Sequence, residues 1–364
     1  MSVVWLLTVF GVLYLLQRLL FLRWGARGIR CNRSFSHPYV FAGQRVTLIE
    51  EIVNAKLLPL PWVRVETMMP SWLRFDNKSA EMAVSAGQLL QNHASLFSLA
   101  PFTKVVRRHE VVCARRGVFR ISSLTCTLGD LLGTPAGHLT FAADAQIVVF
   151  PRLKEAGDLP ASVRQFMQSA IGLQESFRED HYQFAGVRAY RSGDSLKRIN
   201  WSATAKTGQL LVSKRETMAD NDVILVLNAE LLDGSENRRI FPDDFEEALS
   251  GAASIASRLI EGGGKVGLVF NGRVEGYEEV PLRVEPRAGR EHLFRLLGLM
   301  ARFEAVVRRE LTYVLEDMAA SGLRDARLLL ITAFLSPKQR QLIDRLRGSG
   351  NRVETMLLYR EATA

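Results

Sequence analysis

Residues 222–228 read Asp-Val-Ile-Leu-Val-Leu-Asn, five apolar residues in a row closed by a polar residue at each end. A strand with one wet face alternates apolar and polar side chains, whereas a strand covered on both faces need not. The run therefore predicts a central strand with helices on both sides. Phe245, Ala248, Leu249, Ala252, Ile255, Ala256 and Leu259 follow at helical spacing. Asp243 and Asp244 suit the amino end of that helix, and Gly262–Gly264 stop it. Lys265–Phe270, Arg327–Thr332 and Arg352–Tyr359 read as further strands. Ser336-Pro337 is an N-cap followed by proline at the first helical position. Strand and helix in alternation predict a doubly wound, mostly parallel α/β sheet.

Upstream, residues 34–150 carry a different period. Leu124, Cys126 and Leu128 fall on one face and Ser123, Thr125 and Thr127 on the other, the alternation of a half-buried strand. Val63 and Val65 alternate with Trp62, Arg64 and Glu66 in the same way, and residues 46–53 are rich in β-branched side chains. The prolines at 59 and 61 exclude a helix over 57–62. Short strands with turn signals between them predict a small all-β, sandwich-like domain.

The amino terminus is of a third kind. Residues 3–22 hold only Gln17 and Arg18 as strongly polar residues. Twenty helical residues span about 30 Å, the thickness of a bilayer core. The charges come after the apolar run, at Arg23, Arg27, Arg30 and Arg33, and no acid precedes Glu50. A secretory signal has the opposite order. Arginine excess on the carboxy side predicts a single-pass inner-membrane protein with its carboxy-terminal domains in the cytoplasm. The 364 residues thus divide into a transmembrane anchor (1–23), a β-sandwich-like domain (34–152), a connecting helix with a basic segment (153–217) and the α/β domain (218–364).

Searches for catalytic chemistry come back empty. Lys265 is followed by Val266, not Ser or Thr, so the preceding glycines form no phosphate loop. The six histidines offer no pair at zinc-ligand spacing, and no G-x-S-x-G elbow occurs. Cys31, Cys113 and Cys126 cannot all pair and form no C-x-x-C, which suits free thiols in a reducing compartment. The reading is of a protein that is not an enzyme and needs no cofactor.

What does stand out is residues 188–215, seven bases against the single acid Asp194 in a chain of net charge +9. Ser192-Gly193-Asp194 reads as a turn, with Asp194 capping a helix that carries Leu196, Ile199 and Ala203 on one face and ends at Gly208. Arg188, Tyr190, Arg191, Gly193, Asp194, Lys197, Arg198, Asn200, Trp201 and Lys206 are the candidate site residues. They either build the fold or dock a partner, since Arg and Trp are frequent interface anchors.

Gly186-Val187-Arg188-Ala189-Tyr190-Arg191-Ser192-Gly193-Asp194, then Lys197-Arg198-Ile199-Asn200-Trp201 and Ala205-Lys206-Thr207-Gly208, closely resembles the signature of the bacterial family called domain of unknown function 58. Arg115–Phe119, Leu128–Gly133 and Val148–Arg152 resemble its other recurrent stretches. The resemblance implies a von Willebrand factor A-like carboxy-terminal fold. Such domains often bind a divalent metal at the end of the first strand. Here Asn228, Glu230, Leu232 and Ala333 stand at the corresponding positions, which implies a degenerate site without metal, because leucine and alanine offer no side-chain oxygen. Family members are commonly encoded beside MoxR-type AAA+ ATPases. The function so implied is that of a membrane-anchored, non-enzymatic adaptor working with such an ATPase. The alternative is binding of an anionic ligand, nucleic acid or acidic lipid, through residues 188–215; of these, nucleic acid is the less expected partner.

Overall fold

The computed structural model describes residues 2–75, 82–86, 90–161, 163–170, 187–190, 199–213, 222–230 and 242–357. The chain divides into two units, Met1–Arg152 and Leu153–Ala364.

The first unit opens with α1, Ser2–Trp24, a helix long and apolar enough to cross a membrane by length and composition. Among the described residues ten strands follow: β1 (Ile29–Phe35), β2 (Tyr39–Phe41), β3 (Arg45–Asn54), β4 (Leu60–Pro70), β5 (Leu73–Phe75), β6 (Met82–Ala86), β7 (Leu90–Leu99), β8 (Lys104–Cys113), β9 (Gly117–Gly129) and β10 (Pro135–Phe150). β structure thus begins at Ile29, ahead of residue 34. The strands form a four-stranded sheet, β1-β3-β8-β5, and a six-stranded sheet, β2-β10-β9-β4-β7-β6. All pairs are antiparallel except β2 with β10. Both sheets turn side chains into shared cores. Val46, Leu48, Leu73 and Val111 of the first meet Phe119, Ile121, Leu124 and Ile147 of the second. Leu124, Cys126 and Leu128 are buried while Ser123 is exposed, so the alternation expected of β9 holds. It slips by one residue at Ser122 and Ser123, opposite the register shift between Ala142 and Ala145 in β10. A bulge of this kind lets a long strand change face. The three cysteines are free.

A charged cluster lies within this unit. Arg33 of β1 and Glu50 of β3, cross-strand partners, form a fully buried ion pair. His109 of β8 lies 3.3 Å from the other carboxylate oxygen of Glu50. His93 of β7 is buried and stacks on Phe75 at 4.4 Å. Burial acts to raise the Glu50 pKa, but the His109 hydrogen bond and the Arg33 charge outweigh it and bring the carboxyl down to about 2. Burial, with the Arg33 charge adding, pushes His93 down to about 3, so this imidazole stays neutral in the folded protein.

The second unit begins with a short 3-10 turn, Ala156–Asp158, and a helix over 163–170, α2. The basic segment supplies β11 (Val187–Ala189), α3 (Trp201–Thr207) and β12 (Leu211–Ser213). Then come β13 (Val223–Leu227), α4 (Pro242–Glu261), β14 (Val266–Phe270), β15 (Gly272–Val274), β16 (Leu282–Arg287), α5 (Arg290–Ala301), β17 (Phe303–Val307), α6 (Leu311–Ala320), β18 (Arg327–Thr332), α7 (Pro337–Gly348) and β19 (Arg352–Leu357). The main sheet has the order β16-β14-β13-β18-β19. β14, β13, β18 and β19 are parallel and β16 is antiparallel at the edge, so the sheet is mixed. Every residue of β13, β14 and β18 is buried, as expected of the apolar runs they contain, and in β18 burial extends to the flanking Arg327 and Thr332. Ile224, Val226, Leu328 and Leu330 pack with Val314 and Leu315 of α6 and with Ile343 and Leu346 of α7. The alternate residues face the other way, where α4 meets β13, β14 and β18. Ser336 caps α7 by accepting from the Gln339 N–H at 3.3 Å, the Gln339 side chain accepts from the Ser336 N–H, and Pro337 occupies the first position.

One local expectation fails. Ile199 does not share a helical face with Ala203; it forms a β-bridge with Val212, and the helix begins two residues later at Trp201. The N-cap of that helix is Asn200, whose Oδ1 accepts from the Ala203 N–H at 3.0 Å. A spacing of 199 and 203 fits a helix, but burial of Ile199 comes from pairing with a strand thirteen residues away. Asp194, assigned the capping role from sequence, lies outside the described residues, as do Arg191, Gly193, Lys197, Arg198 and Leu232.

Candidate interaction site

The basic segment folds around β12. On one side Arg188 of β11 pairs with Val212; on the other Ile199 bridges to the same residue. The Tyr190 N–H donates to the Leu210 carbonyl at 2.9 Å, and the Asn200 N–H donates to Leu211 at 2.8 Å. Thr204 then ties the helix to the strand, its hydroxyl accepting from the Leu211 N–H at 3.0 Å. Gly208 closes α3 with φ 70°, donating its N–H to the Thr204 carbonyl at 2.9 Å. A left-handed position of this kind is open to glycine at little cost. Asn200, Thr204 and Gly208 are therefore consumed by backbone geometry. Trp201 and Lys206 are not: both side chains are exposed on α3, while Tyr190 is half-buried. Of the sequence candidates whose side chains are described, these two are the exposed ones with nothing structural assigned to them.

A second feature lies at the carboxyl ends of the parallel strands, the edge at which open α/β sheets bind ligands. β13 is flanked by β14 on one side and β18 on the other, and each of the three ends in a buried polar residue: Asn228, Asn271 and Thr332. Asn228 Nδ2 donates to Thr332 Oγ1 at 2.9 Å and to the Glu230 carbonyl at 3.3 Å. Its Oδ1 accepts from Asn271 Nδ2 at 2.7 Å and from the Glu230 N–H at 3.0 Å. Asn271 Oδ1 accepts from the Ala229 N–H at 2.7 Å, and the Thr332 hydroxyl donates to the Phe334 carbonyl at 2.8 Å. Both donors and both lone pairs of the Asn228 amide are used. No oxygen of that side chain is left for a cation.

Glu230 completes the edge. Its carboxylate accepts from the Leu311 N–H at 2.6 Å, the first residue of α6. The N-cap position of that helix, Glu310, makes no side-chain cap of its own. A carboxylate from a remote strand end thus satisfies one of the orphan donors of α6 and sits at its positive pole. Burial nevertheless raises the Glu230 pKa, with the neighbouring Glu310 charge adding, against the hydrogen bond from Leu311. The sequence comparison pointed to Ala333; the residue that reaches Asn228 is its neighbour Thr332. Asn271 was not foreseen. A polar residue directly after each apolar run was the only signal for either. Among the described residues, no group of three or more His, Cys, Asp or Glu side chains is placed to hold a metal ion.

Comparison with known proteins adds a family match over part of the chain. The uncharacterized protein YeaD of Bacillus subtilis (strain 168) is 20% identical over 93% of this chain and 77% of its own length. The uncharacterized protein Rv1480 of Mycobacterium tuberculosis is 27% identical over 41% of this chain and 46% of its own length. Among solved structures, a non-cellulosomal cohesin from Archaeoglobus fulgidus aligns with a TM-score of 0.23 at 7% identity, covering 42% of this chain and 99% of that one. Residues 186–360, the stretch that contains both the β12 motif and the polar strand edge, match the family model "Protein of unknown function DUF58", and the chain carries a DUF58 domain over that range.

Proposed function

We propose that this protein is a membrane-anchored adaptor that works by docking, not by catalysis, and that its DUF58 domain is von Willebrand factor A-like. The mixed sheet with β13 at its centre, β14 and β16 to one side and β18 and β19 to the other, supports the A-like reading. The observation that carries the docking reading is the hydrogen-bonded Asn228–Asn271–Thr332 edge. The place where an A-like fold would coordinate a metal is filled by a satisfied amide network, so the domain keeps the scaffold and gives up the site. Contact then falls to exposed side chains, of which Trp201 and Lys206 in the family motif are the best placed. α1 supplies the anchor, and the arginines behind it favour a cytoplasmic location for both units. By family resemblance the partner is a MoxR-type AAA+ ATPase.

The experiment pairs two readouts. The full chain in detergent is tested for capture of the MoxR-type ATPase of the same cell, with Trp201→Ala/Lys206→Glu alongside. Both replaced side chains are exposed, so the fold should persist and capture should be lost. A folded variant that captures as well as the native chain removes this surface from the proposal. In parallel, a reporter enzyme active only in the periplasm, fused after Ala364, should stay silent.

A further inference from the structure

The first unit has two unlike ends. The strand registers bring the start of β1, the β3–β4 loop, the β7–β8 loop and the β9–β10 turn to one end, since Ile29 pairs with Asn54, Val53 with Lys104, Leu60 with Leu99, Trp62 with Gly129 and Gly129 with Pro135. α1 enters the fold at this same end, with Phe21 buried among Ile29, Leu60, Leu128 and Ala136. The three loops carry apolar side chains pointing out: Leu57 is 76% exposed, Phe102 68%, Leu131 64% and Leu132 59%. Outside α1, Met68 and Leu90 are the only other large apolar side chains among the described residues of this unit that are more than half exposed. Among the described residues, the opposite end presents Ser36-His37, Gln44 and Arg115 in its turns, with Leu90 at the start of β7.

Each apolar tip is held outward by the fold. Asp130 is buried beneath the β9–β10 turn, its Oδ1 accepting from the Leu132 N–H at 3.0 Å and the Thr134 N–H at 2.9 Å, and its Oδ2 from the Thr134 hydroxyl. With the acid turned in, the two leucines turn out. Phe102 adopts φ 51°, a left-handed conformation that a bulky L-residue takes only at a cost. Its N–H donates to the Lys56 carbonyl at 3.2 Å, which joins the second loop to the first. Lys56 in turn donates from Nζ to the carbonyls of Gly25 and Arg27, directly behind α1. Phe21 of α1 shares a buried cluster with Leu128 and Ala136, which flank the β9–β10 turn, so the leucine turn lies beside the last turns of the helix. Six residues separate Arg18 from Trp24, a rise of about 9 Å, comparable to the interfacial layer of a bilayer.

We infer that Leu57, Phe102, Leu131 and Leu132 form a ring of loop tips around the base of α1 that dips into the headgroup–acyl boundary of the bilayer that α1 crosses. The inference rests on the membrane reading of α1. Its occupant is lipid, because the surface is continuous with the spanning helix, lies level with its last turns and is bordered by the exposed cations Arg23 and Arg27, which suit anionic headgroups. The consequence is a β-rich unit seated on the membrane face instead of hanging from a flexible tether.

The test uses the full chain reconstituted into phosphatidylcholine–phosphatidylglycerol vesicles. Single cysteines at Leu131, Phe102, Leu13 and His37 carry an environment-sensitive dye; the unsubstituted chain, whose own cysteines are buried or half-buried, is the labelling blank. Dye at 131 and 102 should be quenched by lipid bearing a spin label high on the acyl chain and should lose quenching by aqueous iodide. Dye at 37 should show the reverse and establishes that iodide reaches the unit. Dye at 13, within α1, should be quenched by lipid. If 13 is lipid-quenched while 131 and 102 respond to iodide like 37, the ring is overturned and the span stands. Shielding from iodide without quenching by lipid means that protein covers the tips, which also overturns the inference. If 13 itself escapes the lipid quencher, the membrane reading fails and the inference falls with it.

Discussion

Replacing Asn228 by alanine tests whether the strand-edge network is structural. The amide accepts from Asn271 Nδ2 and from the Glu230 N–H, and it donates to Thr332. Truncation leaves two donors without an acceptor. Asn271 is buried and has no route to water; Glu230 is half-buried, and its N–H can recover part of the loss from solvent. An orphaned buried donor costs about 1–3 kcal/mol, so the variant should lose roughly 2–4 kcal/mol from the second unit. Thr332 keeps its bond to the Phe334 carbonyl and adds little. A two-unit chain does not unfold in one step, so a global melting curve would blur the effect. Hydrogen exchange read by mass spectrometry on peptides covering β13 and β18 reports the local opening energy directly. A loss confined to those peptides, with β3 and β9 unchanged, supports the argument. A change below about 0.5 kcal/mol would show that the network is incidental and would reopen Asn228 as a ligand-facing group.

Three further outcomes follow from the same geometry. Asn200→Ala removes the only side-chain cap seen on α3 and should raise exchange at Ala203 and Thr204 by the equivalent of about 1 kcal/mol; unchanged protection there would return capping to some other residue. Acid should loosen the first unit early. Arg33, Glu50 and His109 face His93, whose pKa falls from 6.5 to about 3, so the unfolded chain binds the extra proton and stability drops as pH falls from about 6.5 towards 3, by up to roughly 5 kcal/mol. Glu50, held at about 2 against 4.5 unfolded, adds a second loss between about 4.5 and 2. Urea midpoints followed at Trp62 and Trp72 that stay level from pH 7 to pH 4 would contradict this. Calorimetric titration with magnesium or manganese should be flat at the strand edge, and a one-to-one isotherm abolished by Glu230→Ala would overturn the degenerate-site reading.

The parts of the fold that could be read in advance are those whose cause is local. Residues 223–227, 266–270 and 328–331 announce buried strands because burial on both faces favours an unbroken run without polar side chains. Ser336-Pro337 announces a helix start because the cap and the ring act within one turn. What escaped depends on distant partners. Ile199 looked helical because its partner Val212 lies on a strand that forms only with the tertiary structure. Asn271 and Thr332 are ordinary residues until β14 and β18 flank β13 and bring their side chains to Asn228. Leu131 and Leu132 were visible as residues, but their outward direction is set by Asp130 turning in beneath them.

The central claim is docking by a metal-free A-like domain, and its most direct measurement is equilibrium binding between the full chain in detergent and a purified MoxR-type ATPase, with ATP, with ADP and without nucleotide, across a salt series. The account predicts saturable binding that depends on the nucleotide state, persists with a chelator present, and weakens only modestly with salt. Absence of binding in every nucleotide state, together with tight and steeply salt-dependent binding to nucleic acid or anionic vesicles by a chain lacking α1, would contradict it.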